Sequence, residues 1–111
     1  MGELIVLSER RLSSRSVYFS RGELQALMRL FSQHVAANRW LDYSIDSDGK
    51  RAVFCVYRRA HDVPLYEIHK LAPGSRRGGD FLIIKKGMLV RSSQTLVAAL
   101  RIFDPPLRAL P

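Results

Sequence analysis

Leu41-Asp42-Tyr43-Ser44-Ile45-Asp46-Ser47-Asp48-Gly49-Lys50-Arg51-Ala52-Val53-Phe54-Cys55-Val56-Tyr57-Arg58 reads as a β-hairpin. In its first half Leu41, Tyr43 and Ile45 alternate with Asp42, Ser44 and Asp46. That alternation predicts a half-buried strand with its acids toward water. Asp48-Gly49 marks the turn, because a tight primed turn needs positive φ. The second half, 51–58, is apolar on both faces, which predicts a central strand.

Upstream of the hairpin lies the best-specified helix. Ser20 and Glu23 form a Ser-x-x-Glu capping box, with Phe19 and Leu24 placed for a hydrophobic staple. Leu24, Leu27, Met28, Phe31 and Val35 make one apolar stripe at helical spacing, and Asn38 is the C-terminal stop. The spacing predicts a helix over 21–37. Further upstream, Leu4-Ile5-Val6-Leu7 reads as a short strand or apolar arm, joined by a polar, basic link at 8–16.

Downstream, His61-Asp62 makes a turn, and Pro64 begins a strand through Leu71, at a position where a missing N–H donor is tolerated. Ala72 to Asp80 is a Gly-rich basic loop. Phe81 to Ile84 is a strand, Lys85-Lys86-Gly87 a turn, and Met88 to Val90 a short return strand. Ser92 or Ser93 then caps a second helix with Leu96, Ala99, Leu100 and Phe103 on one face, ended by Asp104-Pro105-Pro106. The expectation is an α+β fold: an antiparallel β-meander of four to five strands with two helices packed on one face. The single domain spans 17–105, preceded by the arm and link at 1–16 and followed by a tail at 106–111.

The 111 residues are 47% apolar, enough for one real core without metals or disulfides. Cys55, the single cysteine, cannot pair within the chain; inside its apolar run it reads as a small buried hydrophobe. The opening Met1-Gly2-Glu3 precedes an apolar run too short for a signal sequence or a membrane span, so we expect a cytoplasmic protein. Eighteen Lys and Arg against ten Asp and Glu give a formal charge of +8, which favours anionic partners.

The run Val17-Tyr18-Phe19-Ser20-Arg21-Gly22-Glu23-Leu24, then Trp40-Leu41-Asp42-Tyr43-Ser44-Ile45-Asp46, then 51–60 and Pro64-Leu65-Tyr66-Glu67-Ile68 together resemble one family. It is a family of small alphaproteobacterial proteins designated domain of unknown function 2794. The resemblance covers about residues 17–105, with the blocks in the family's order. It implies a bacterial cytoplasmic protein of this size and brings no functional residues with it.

No catalytic constellation is visible. His34, His61, His69 and Cys55 lack paired zinc-site spacing, although Glu67 and His69 share one strand face. There is no nucleophile elbow and no Walker or dinucleotide glycine pattern. We therefore expect no enzyme, no metal, no cofactor and no membrane insertion, and identify no small-molecule substrate. Gly74-Ser75-Arg76-Arg77-Gly78-Gly79 reads either as a plain hairpin loop or as a phosphate grip through backbone amides and two guanidinium groups.

Basic doublets remain the most suggestive feature. Arg58, Arg59, Arg76, Arg77, Lys85 and Lys86 all fall near strand ends or in loops, and are candidates for anion or nucleic-acid binding. Tyr57, Tyr66 or Trp40 beside them would make a stacking platform for single strands, or would simply pack the sheet. Two functions stay open. One is a protein-interaction or assembly module, a homo-oligomer or complex subunit, whose arm at 4–7 adds to a neighbour's sheet edge. The other is a module binding RNA or single-stranded nucleic acid through basic loops.

Overall fold

The structure, a computed structural model, describes residues 16–59 and 63–104. The expectations for the arm, the link up to residue 15, the His61-Asp62 turn and the tail lie outside the described residues.

Helix α1 (Arg21–Ala36) begins at the expected capping box: Ser20 Oγ accepts from the Glu23 N–H, and Glu23 Oε1 accepts from the Ser20 N–H. Two of the four amides orphaned at a helix start are thereby satisfied. Phe19 and Leu24 both join the core, as a staple requires. Asn38 ends the helix at φ 60°, a left-handed conformation that Asn tolerates. Lys70 Nζ reaches Glu23 Oε1 at 2.8 Å and the Tyr18 carbonyl, tying the start of α1 to the sheet.

Five strands follow: β1 (Asp42–Ser47), β2 (Arg51–Tyr57), β3 (Tyr66–Leu71), β4 (Phe81–Lys85) and β5 (Met88–Ser93). They pair in sequence order, every pair antiparallel, as the expected meander. At the β1–β2 turn Gly49 takes φ 88°, and Asp48 Oδ1 accepts from the amides of Lys50 and Arg51. At the β4–β5 turn Lys86 and Gly87 both have positive φ, the backbone of a type I′ turn.

One row crosses the sheet: Ile45, Phe54, Ile68, Ile83, Arg91. Its three central members are fully buried. Leu27 and Leu30 of α1 join them in the core, together with Leu96 and Ala99 of α2 (Leu96–Leu100) and Phe103 of the 3₁₀ turn that follows it. Both helices thus cover one face, and the fold is α+β as expected.

Four local readings are corrected. Leu41, Tyr43 and Ile45 remain 56%, 38% and 46% exposed. Tyr43 and Ile45 do point to the helix side, but β1 is the sheet edge and helical cover thins there. The return strand β5 runs on to Ser93 instead of stopping near Val90, helped by a register shift opposite Ile83 and Ile84. The cap of α2 is therefore Thr95, whose hydroxyl accepts from the Ala98 N–H, and not Ser92 or Ser93. Strand β3 starts at Tyr66, two residues after Pro64.

Candidate functional site

The meander sends alternate connections to opposite ends of the sheet. The β2–β3 connection and the β4–β5 turn share one end, where α1 also hands over to β1. Arg58, Arg59, Lys85 and Lys86 therefore come together there: Arg58, Arg59 and Lys86 border one cleft, and Arg58, Lys85 and Lys86 a second. Arg76 and Arg77 sit in the β3–β4 loop at the far end. Four of the six candidates converge and two do not.

The far loop does not form the phosphate grip. Asp80 occupies it from within, its carboxylate accepting from the amides of Gly74 (2.7 Å) and Arg76 (3.1 Å). A bound anion would have to displace a carboxylate of the same loop.

The second cleft at the near end is the smaller but gathers more of the cations. It encloses about 370 Å³ between the end of α1, the β2–β3 connection, the β4–β5 turn and the 3₁₀ turn. Four cationic side chains border it, Arg39, Arg58, Lys85 and Lys86, and no acid stands among its described lining residues. The first cleft, about 780 Å³, adds Arg59 and the carboxylate of Glu67. Lys85 and Tyr66 are register partners, and the Lys85 ammonium lies 5.6 Å from the Tyr66 ring centre.

The aromatics do not form a stacking platform. Trp40 is 5% exposed, sandwiched against His34 at 4.0 Å and met edge-on by Phe103. Tyr66 is half-buried against the same Phe103. Tyr57 points to the opposite sheet face, where its hydroxyl meets Ser44. Packing took these rings, so what the cleft offers is charge and hydrogen-bond donors.

His34 is the residue that sequence reasoning passed over. It is 4% exposed, and neither ring nitrogen finds a hydrogen-bond partner among the described residues. Burial pushes its pKa below the usual imidazole value, and the charge of Arg39 adds to the effect. Leaving a buried polar group unpaired costs about 1–3 kcal/mol. Topology held a signal for Arg39: the hairpin register places Asp42 opposite Tyr57, so residues just before Asp42 must lie near Arg58.

The sign of the resulting pH effect follows from linkage. The folded pKa of His34 lies below the usual value of about 6.5, so the unfolded chain binds the extra proton more readily. The contribution is whole above about pH 6.5 and is lost as pH falls through the folded pKa. Urea midpoints of the wild type are expected to drop between about pH 7.5 and about pH 5, and His34→Phe to flatten that drop. Identical pH profiles for the two would refute the assignment.

On the sheet face away from the helices, His69 links two charged neighbours. Its Nε2 lies 2.9 Å from Glu67 Oε1 and its Nδ1 3.0 Å from Arg51 Nη1. A guanidinium only donates, so Nδ1 accepts and Nε2 donates to Glu67. Cys55 stands opposite Glu67 in the register. Burial pushes the thiol pKa up, and Glu67 raises it further, which opposes a thiolate at neutral pH. Among the described residues no group of three His, Cys, Asp or Glu is placed to hold a metal ion. No helix among them is long and apolar enough to cross a membrane.

Fold and site define a basic α+β domain with a five-stranded meander and a cationic cleft at one end. Residues 17–100 match the family described as protein of unknown function (DUF2794), and the chain belongs to that family. No curated protein and no solved structure matches it.

Proposed function

We propose that this protein is a binding module for an anionic partner, single-stranded nucleic acid being the chemistry favoured, with the near end of the sheet as its contact surface. One observation carries this reading: Arg39, Arg58, Lys85 and Lys86, from three separate parts of the chain, border a single cleft without an acid among its described lining residues. Like charges are gathered against their mutual repulsion, which an anion would relieve. The phosphate backbone supplies such a partner. The module acts by binding rather than by catalysis, in the cytoplasm, where a single reduced cysteine is at home.

A strand touching all four cations should bind about 50-fold more weakly at about 200 mM salt than at about 50 mM, through counterion release. Lys86→Ala should lower the slope of log K against log salt by about 0.7. Polarisation titration of a labelled single-stranded RNA checks both. Binding that ignores salt, or that Lys86→Ala leaves intact, would remove the proposal.

The protein-interaction reading retains one specific support. Met88, Leu89 and Val90 lie consecutively on the outer strand β5 and are 72%, 48% and 49% exposed. An apolar outer strand is a template for strand addition by a neighbour. Light scattering on the wild type and Leu89→Lys tests it: a wild-type oligomer that the variant dissolves is the expected result, and a wild-type monomer excludes self-assembly.

A further inference from the structure

We propose that the cleft between the end of α1 and the β4–β5 turn is a seat for one phosphate monoester group, clamped by Arg39, Arg58, Lys85 and Lys86 with the imidazole of His34 as its buried hydrogen-bond donor. The inference rests on the reading that this end binds anions, and it specifies which anion.

Two independent features point to a small, highly charged group rather than to a stretch of backbone. The first is density. Four cations border about 370 Å³, so the charge is dense while the space holds one phosphate group together with part of what carries it. A phosphodiester carries one charge per nucleotide, whereas a monoester brings about −1.5 to −2 on a single phosphorus near neutral pH. Two guanidinium forks and two ammonium groups suit three exposed phosphate oxygens.

The second is His34. A neutral imidazole always carries one N–H and one acceptor nitrogen, and here both are buried without a partner among the described residues. The ring borders the cleft, stacked on Trp40 at 4.0 Å with 14° between planes. Apolar packing alone would be served better by phenylalanine. Both nitrogens are closed to solvent, so an oxygen acceptor meets the donor only when the ring shifts toward the cleft, and that contact then satisfies a donor already stripped of water. The negative end of α1 does not oppose the anion strongly, since the amides of Ala37, Asn38 and Arg39 close on the carbonyls of the last turn.

The position of Lys86 fits the same role. It is one of two non-glycine residues with positive φ among those described, at 48°. The I′ turn that demands this backbone also presents Lys86 to both clefts.

The same chemistry occurs on the end of a 5′-phosphorylated strand and on a free phosphate, and the experiment separates these sources. Trp40 is the only tryptophan in the chain and lies against His34, so its fluorescence reports on the seat. The full chain is titrated with inorganic phosphate, with a 5′-phosphorylated single-stranded oligonucleotide, and with the same oligonucleotide bearing a 5′-hydroxyl. The 5′-phosphorylated strand should bind about tenfold more tightly than the hydroxyl form, with a saturable change in Trp40 emission. Arg58→Ala should erase that preference. His34→Phe keeps the stacked ring and removes both nitrogens; it should reduce the preference while leaving the thermal midpoint unchanged or higher.

Equal affinity for the two strands, with no response to phosphate, overturns the seat while leaving nucleic-acid binding intact. A response to phosphate with no binding of either strand supports the seat, assigns it to a free phosphate compound, and overturns the nucleic-acid reading. A full 5′-phosphate preference in His34→Phe overturns the role given to the imidazole.

Discussion

Replacing Phe54 with alanine is expected to destabilise the protein by about 3–5 kcal/mol, the range for emptying a fully buried aromatic site. Phe54 is 0% exposed and the largest of the fully buried side chains. It stands in the row between Ile45 and Ile68 at the centre of β2. Its ring stacks on Tyr43 at 5.6 Å, and α1 closes the space above it. Backbone paired on both sides cannot collapse into the void, so most of the cavity would persist. Domains of this size hold only about 5–15 kcal/mol in total. Val53→Ala, next in sequence but half-buried on the face away from the helices, should cost about 1 kcal/mol. Denaturant midpoints of the two variants decide the matter. Equal losses would mean that the two faces of β2 are not distinguished by burial.

Gly79→Ala is the second large effect, expected near 3 kcal/mol from left-handed strain and backbone overlap together. Gly79 has φ 117°, and a Cβ there would overlap the carbonyl of Ser93 and stand 2.7 Å from the Gln94 nitrogen. These are backbone atoms at the end of β5, where Ser93 pairs with Phe81, so they cannot move aside without unpairing the strand. Gly74 is the control. It too has positive φ, at 79°, but a Cβ there meets nothing within 4 Å. Gly74→Ala should therefore cost only about 1 kcal/mol, from backbone strain alone. Thermal melts of both variants test the contrast, and a Gly79→Ala protein as stable as Gly74→Ala would show that the loop does not press on β5. Because Arg77 is held here through its carbonyl by Gln94, far from the cationic cleft, neither substitution should alter anion binding.

Much of the architecture was legible because its rules are local. The Ser20–Glu23 box acts across three residues, Gly49 and Gly87 supply the φ their turns need, and the unbroken apolar run of β2 marks it as a central strand. The misreadings came where a local signal met a non-local one. Ser92 and Ser93 are good caps, but pairing with Leu82 and Phe81 held them in β5, and Thr95 took the role. Tyr43 and Ile45 carry the pattern of a covered strand, yet the helices lie over the middle of the sheet.

The candidate site divides in the same way. Composition announced a cationic protein and the doublets named six residues. Which four meet was a matter of parity: in a meander, connections two apart share an end, so 58–59 and 85–86 join while 76–77 are sent away. Asp80 turning its carboxylate into the glycine loop, and His34 buried without a hydrogen-bond partner among the described residues, arise only when distant segments are packed together.

The sequence by itself determined the kind and order of the elements, the turns between them and the sign of the charge, because each depends on residues within a few positions of one another. Tertiary structure alone decided where that charge gathers and which polar groups lose water, because burial and convergence depend on chain segments that sequence distance does not relate.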